Sequence, residues 1–193
     1  MEKKMEFTIK GKSAILTHNP AAMSGQQTSG KSAKVIPTPQ EEAYAGLYIN
    51  SDGKYCFPSI GIRNSIIEAS KAFRGSWQKG RQTLKGAISH IRIEPEMCEI
   101  LDAKGKLAKQ YEIDTRRVVI KGCGAILRSR ARFDDWTMKF TIIYDADLLP
   151  AGSDDELRQF LSQVINDAGN RIGIGDYRPQ RTGWFGRFEV VSK

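Results

Sequence analysis

Apolar residues recur along this chain at two periods, one suited to strands and one to helices. Extended stretches are predicted over Phe7 to Leu16, Tyr44 to Ile49, Lys54 to Phe57, Ile88 to Ile93 and Tyr111 to Ile120. Arg128 to Phe133, Trp136 to Tyr144 and Phe185 to Val191 complete the set. One helix opens at Pro58-Ser59, with Ser59 as its cap and Ile62, Ile66, Ile67 and Phe73 on one face. A second starts from the capping box Ser153-Asp-Asp-Glu156 and aligns Leu157, Phe160, Leu161, Val164, Ile165 and Ala168, with Gly169 placed to stop it. Asn50-Ser-Asp-Gly53 marks one hairpin turn and Asp134-Asp135 another. Stripped of insertions, the order is β-α-β-β-α-β. The expected fold is α+β: a ferredoxin-like (RRM-like) core with an antiparallel sheet, two helices on one face and the other face open.

A length of 193 residues suits one domain, 1–193, with insertions. The segment 19–43 is rich in Gly, Ser, Gln and Pro and reads as a flexible arm. The segment 74–130 reads as a basic insertion on the core. No apolar run reaches the roughly 18–20 residues of a spanning helix, and no apolar region follows Met-Glu-Lys-Lys, so no membrane partner is expected. Three widely spaced cysteines, Cys56, Cys98 and Cys123, argue against a disulfide framework and for a cytoplasmic setting.

Charge changes the picture more than length does. Thirty Lys and Arg against 22 Asp and Glu give a formal net charge of +8, which favours a polyanionic partner. The surplus falls in three tracts. Arg74, Lys79, Arg81 and Lys85 surround Trp77. Arg116, Arg117, Lys121, Arg128, Arg130 and Arg132 lie between Thr115 and Phe133 without an acid among them, and the last three alternate onto one strand face. Arg171, Arg178, Arg181 and Arg187 are interleaved with Tyr177, Trp184 and Phe185 in a glycine-rich stretch. Guanidinium groups bind phosphate bidentately and aromatic rings stack on bases, so these tracts are candidate nucleic-acid contacts.

Catalytic candidates are few. Gly25-Gln-Gln-Thr-Ser-Gly30-Lys31-Ser32 fits the phosphate-loop pattern, but Asn19-Pro20 separates it from the preceding strand and Pro37 and Pro39 leave little room for the required helix. Gly173-Ile-Gly175 follows a helix and enters a strand, the reverse of a dinucleotide loop. His18 and His90 stand on separate elements, and Asp134-Asp135 and Asp145/Asp147 read as turn residues. No catalytic residue, metal site or cofactor is expected.

Lys54-Tyr-Cys-Phe-Pro-Ser-Ile-Gly-Ile-Arg63 and Gly173-Ile-Gly175 to Gly183-Trp-Phe-Gly186-Arg-Phe together resemble the RAMP superfamily of CRISPR-associated RNA-binding proteins, especially the backbone subunits that polymerise along guide RNA. The turn Pro58-Ser59-Ile60-Gly61 departs from the family's Pro-Gly-Ser-Ser. The resemblance implies that Ser59, Arg63, Arg178 and Arg181 contact RNA backbone. It also implies that the partners are single-stranded RNA (or DNA), copies of the chain itself and other subunits of a CRISPR-like complex. The expected function is non-enzymatic binding of a single strand, with Trp77, Tyr177 and Trp184 stacking between bases. The alternatives are a phosphate-loop nucleotidase or metal-dependent nuclease, and a phage assembly protein that binds no nucleic acid.

Overall fold

A computed structural model describes residues 1–21, 37–73, 84–120, 124–149 and 153–191. The Gly25–Ser32 match, Arg74, Trp77, Lys79, Arg81, Lys121 and Cys123 lie outside the described residues. The fold is α+β with antiparallel sheets. Strand β1 (Glu2–Gly11) pairs along nine residues with β9 (Thr137–Asp145), and β9 pairs on its other side with β5 (Arg92–Glu94). The short β10 (Phe188–Val190) flanks β1, giving the order β10-β1-β9-β5. A second sheet places β8 (Gly124–Phe133) between β2 (Ile15–Thr17) and β7 (Glu112–Ile120). A third joins β3 (Tyr48–Ile49), β4 (Tyr55–Pro58) and β6 (Met97–Glu99).

Four α-helices accompany the sheets among the described residues: α1 (Pro39–Ala45), α2 (Ser59–Ser70), α3 (Leu84–Ile88) and α4 (Asp154–Asp167). Alternation along β1 and β9 buries Met5, Phe7 and Ile9 opposite Ile142, Phe140 and Met138, and the Phe7 and Phe140 rings stack 6.2 Å apart. Helix α2 adds Ile62, Ile66 and Ala69, and α4 adds Leu157, Leu161, Val164 and Ile165 to the same core. The capping box of α4 forms as its sequence predicts, with Ser153 Oγ accepting from the Glu156 amide at 3.2 Å.

Several expectations are corrected. The strand expected over Phe7 to Leu16 is two strands in different sheets. Gly11 leaves space that the Trp136 indole fills, and Trp136 Nε1 donates to the Ser13 carbonyl at 2.8 Å, turning the chain between them. Tyr44 belongs to α1, not a strand, because Thr38 and Glu41 close a capping box before it. Helix α2 has Pro58 at its cap position without a side-chain cap bond; the Ser59 hydroxyl instead donates to the Ile93 carbonyl, tying α2 to β5. Leu84–Ile88 is helical, so the strand expected over Ile88 to Ile93 reduces to β5. The stretches around Asp134-Asp135 are not a hairpin, since β8 hairpins with β7 while β9 joins β1. Gly169 does not stop α4: a π-helical turn, Ala168–Ile172, continues to Gly173 at φ 70°. The final strand is limited to Phe188–Val190.

Among the described residues, no helix is long and apolar enough to cross a membrane.

Candidate nucleic-acid interface

The glycine- and arginine-rich loop between α4 and β10 is laid against β2 by backbone hydrogen bonds. The Asp176 amide donates to the Leu16 carbonyl at 2.9 Å, the Gly186 amide to the Ala14 carbonyl at 2.7 Å, and the Ile174 amide to the Gly186 carbonyl at 3.0 Å. Gly175, at φ 75°, lies so close that a Cβ would be 2.5 Å from the Leu16 carbonyl oxygen. The glycines therefore serve backbone-to-backbone contact within the fold. Two rings emerge from this platform, Trp184 at 66% and Tyr177 at 39% exposure. Phe185 is buried against Ala14 and Leu16, and the Arg116 guanidinium sits over its ring at 4.7 Å, with Arg132 at 5.9 Å.

The alternating arginines of β8 do share a face with Arg116, but that face meets acids. Arg116 makes a bidentate pair with the buried Asp114 at 2.6 and 2.9 Å, and Arg132 reaches Asp114 and Asp134. Arg128 binds Glu42 of α1 at 2.9 Å, and Arg130 binds Asp176. Arg130 is buried, so it stands behind the surface. Sequence reasoning missed these acids. Asp114 and Asp134 each lie two residues from their arginine, Asp114 on the same strand face and Asp134 in the bend just after β8, a spacing that signals such a pair. Glu42 and Asp176 come from distant elements and leave no such sign.

The Lys54–Arg63 stretch meets the loop across a groove of about 570 Å³, lined among others by Ile60, Gly61, Asn64, Arg178 and Arg181. The first turn of α2 carries neither a side-chain cap nor an acid, so the positive end of its dipole lies at this groove. Arg178 donates to the Gly175 carbonyl and to Gln180, and no carboxylate among the described residues pairs with Arg178, Arg181, Arg187 or Arg117. Other sequence candidates are occupied elsewhere. Arg63 donates to the Ile91 and Ser89 carbonyls, fastening the approach to β5, and Arg171 pairs with Asp167. Lys85 is exposed on α3, apart from the groove lining. The sheet face opposite the core carries Lys4, Glu6, Lys139, Arg92 and Glu94, with Arg92–Glu2 and Lys4–Glu94 ion pairs and no aromatic ring among the described residues. It offers a base nothing to stack on.

Burial pushes the His18 imidazole below its ordinary pKa, with Asp176 acting in the opposite sense and Arg130 and Arg128 reinforcing the drop. Burial alone would raise the Asp176 carboxyl; the Arg130 charge and hydrogen bond outweigh it and hold the group below its usual range. A less basic folded-state His18 means that the unfolded chain takes up the extra proton first. Stability is therefore lost as pH falls below about 6.5. The thermal midpoint is expected to drop between about pH 7 and pH 5.5, and His18→Asn to flatten that slope. An unchanged slope would place the acid sensitivity elsewhere.

No family model matches the chain, and no curated protein matches it significantly.

Proposed function

We propose that this protein is a non-enzymatic binder of single-stranded nucleic acid that presents Trp184, Tyr177 and the cations around them to the strand. The observation that carries the reading is the pairing of two exposed rings with carboxylate-free arginines on one hydrogen-bonded loop. Ring faces accept any base, and Arg178, Arg181 and Arg187 supply phosphate contacts beside them. The order β10-β1-β9-β5, with every neighbour antiparallel and a helix before β5 and before β10, supports a ferredoxin-like core. Resemblance to the RAMP superfamily favours RNA over DNA, and repeated copies along the strand, within a CRISPR-like assembly.

Titrating a labelled single-stranded RNA with rising salt tests the reading. About three phosphate contacts predict a log–log slope near −2, at roughly −0.7 per contact. Absence of binding to RNA or DNA at low salt overturns the proposal. Shortening of the RNA in Mg²⁺ or Mn²⁺ replaces it with a nuclease.

A further inference from the structure

We infer that Arg130 and Asp176 form a buried charged latch that holds the ring-bearing loop on the second sheet, making both of them positioning residues for Tyr177 and Trp184. The inference rests on the nucleic-acid reading only for its ligand; the latch itself is a matter of geometry. Arg130 projects from the middle of β8 with its side chain 6% exposed, and its Nε donates to Asp176 Oδ2. Its Nη1 is buried and has no hydrogen-bond partner. Asp176 is thus the carboxylate that compensates this buried charge, and losing it would strand the guanidinium.

The contacts of Asp176 lead directly to the rings. Its Oδ1 accepts from the Tyr177 amide at 2.9 Å, while its own amide is fixed to Leu16. Tyr177 is held at φ 55°, a left-handed conformation that a non-glycine residue keeps only when its surroundings enforce it. The Tyr177 carbonyl then accepts the Phe185 amide at 3.2 Å, next to Trp184. A continuous series of contacts runs from Arg130 through Asp176 and Tyr177 to the Phe185 amide, the backbone beside the second ring. His18 and Arg128 face the same pair, and Glu42 is bound to Arg128, so the local charge is nearly balanced only while Asp176 is ionised.

Asp176→Asn keeps the shape and the Tyr177 acceptor while removing the charge. Hydrogen exchange followed by mass spectrometry should show amides of 174–186 opening on the order of tenfold faster or more, with α4 and the β1–β9 pair unchanged. RNA affinity should fall by about tenfold as the rings lose their common orientation. Arg130→Lys keeps a cation but cannot reproduce the Nε bond to Asp176, so it should show smaller losses of the same kind; it also serves if Asp176→Asn does not fold. Unchanged exchange over 174–186 in Asp176→Asn, or in Arg130→Lys if that is the variant that folds, overturns the latch. Faster exchange in a protein whose wild type binds no RNA keeps the latch and sinks the nucleic-acid reading instead.

Discussion

Gly186→Ala is expected to lower stability by roughly 3–5 kcal/mol, the sum of a strained backbone and an overpacked contact. Gly186 sits at φ 65°, and a Cβ there would overlap the Ile174 carbonyl oxygen, which is backbone and cannot swing aside. The Ile174 amide also donates to the Gly186 carbonyl, so moving one strand of the loop breaks its partner's bond. For a domain of this size the thermal midpoint should fall by roughly 10 °C. Gly53→Ala is the matched control. Gly53 has a similar φ of 75° but nothing within 4 Å of its would-be Cβ, so only the conformational cost applies, about 1 kcal/mol. Equal losses at the two sites would mean that crowding against Ile174 contributes nothing.

The second large effect concerns binding. Trp184→Ala should weaken single-stranded RNA binding by about 1–3 kcal/mol, roughly 5- to 150-fold, the range for loss of one base-stacking ring. The ring is 66% exposed and touches Phe185 at 6.5 Å between centroids, so its removal should leave the stability within about 0.5 kcal/mol of wild type. Trp184→Phe keeps an aromatic face and should retain most of the affinity. Tyr177→Ala is a less clean probe, because Tyr177 also holds the loop through its backbone. If Trp184→Ala binds RNA as tightly as wild type, the exposed ring is not the stacking platform and the contact surface must lie elsewhere on the chain.

The parts of this protein legible in sequence are those decided within a few residues. Ser153 and Glu156 are three apart and close a box without help from any other segment, and the face of α4 follows from its spacing. The same logic was available at Thr38 and Glu41, but only seven helical residues follow, in a polar stretch that resembles an arm. Strand positions on either side of Asp134-Asp135 were also legible, whereas their partners were not. Neighbouring strands usually pair with each other, and here Trp136 is drawn into the core, so β8 and β9 leave the turn toward different sheets.

The sequence by itself determined the α+β alternation, the acidic start of α4, and the concentration of arginine and glycine between α4 and the last strand. Only the tertiary structure decided what that charge is for. Arginines whose alternation suggests a phosphate track find Glu42 and Asp176 in positions 86 and 46 residues away, and a buried guanidinium must be neutralised by whichever carboxylate the fold brings to it. Glycines that suggest room for a polyanion instead press backbone against backbone at Leu16 and Ile174. The cations and rings left facing outward after those internal demands are met define the proposed interface. Which ones those are depends on long-range packing, a property that no local pattern encodes.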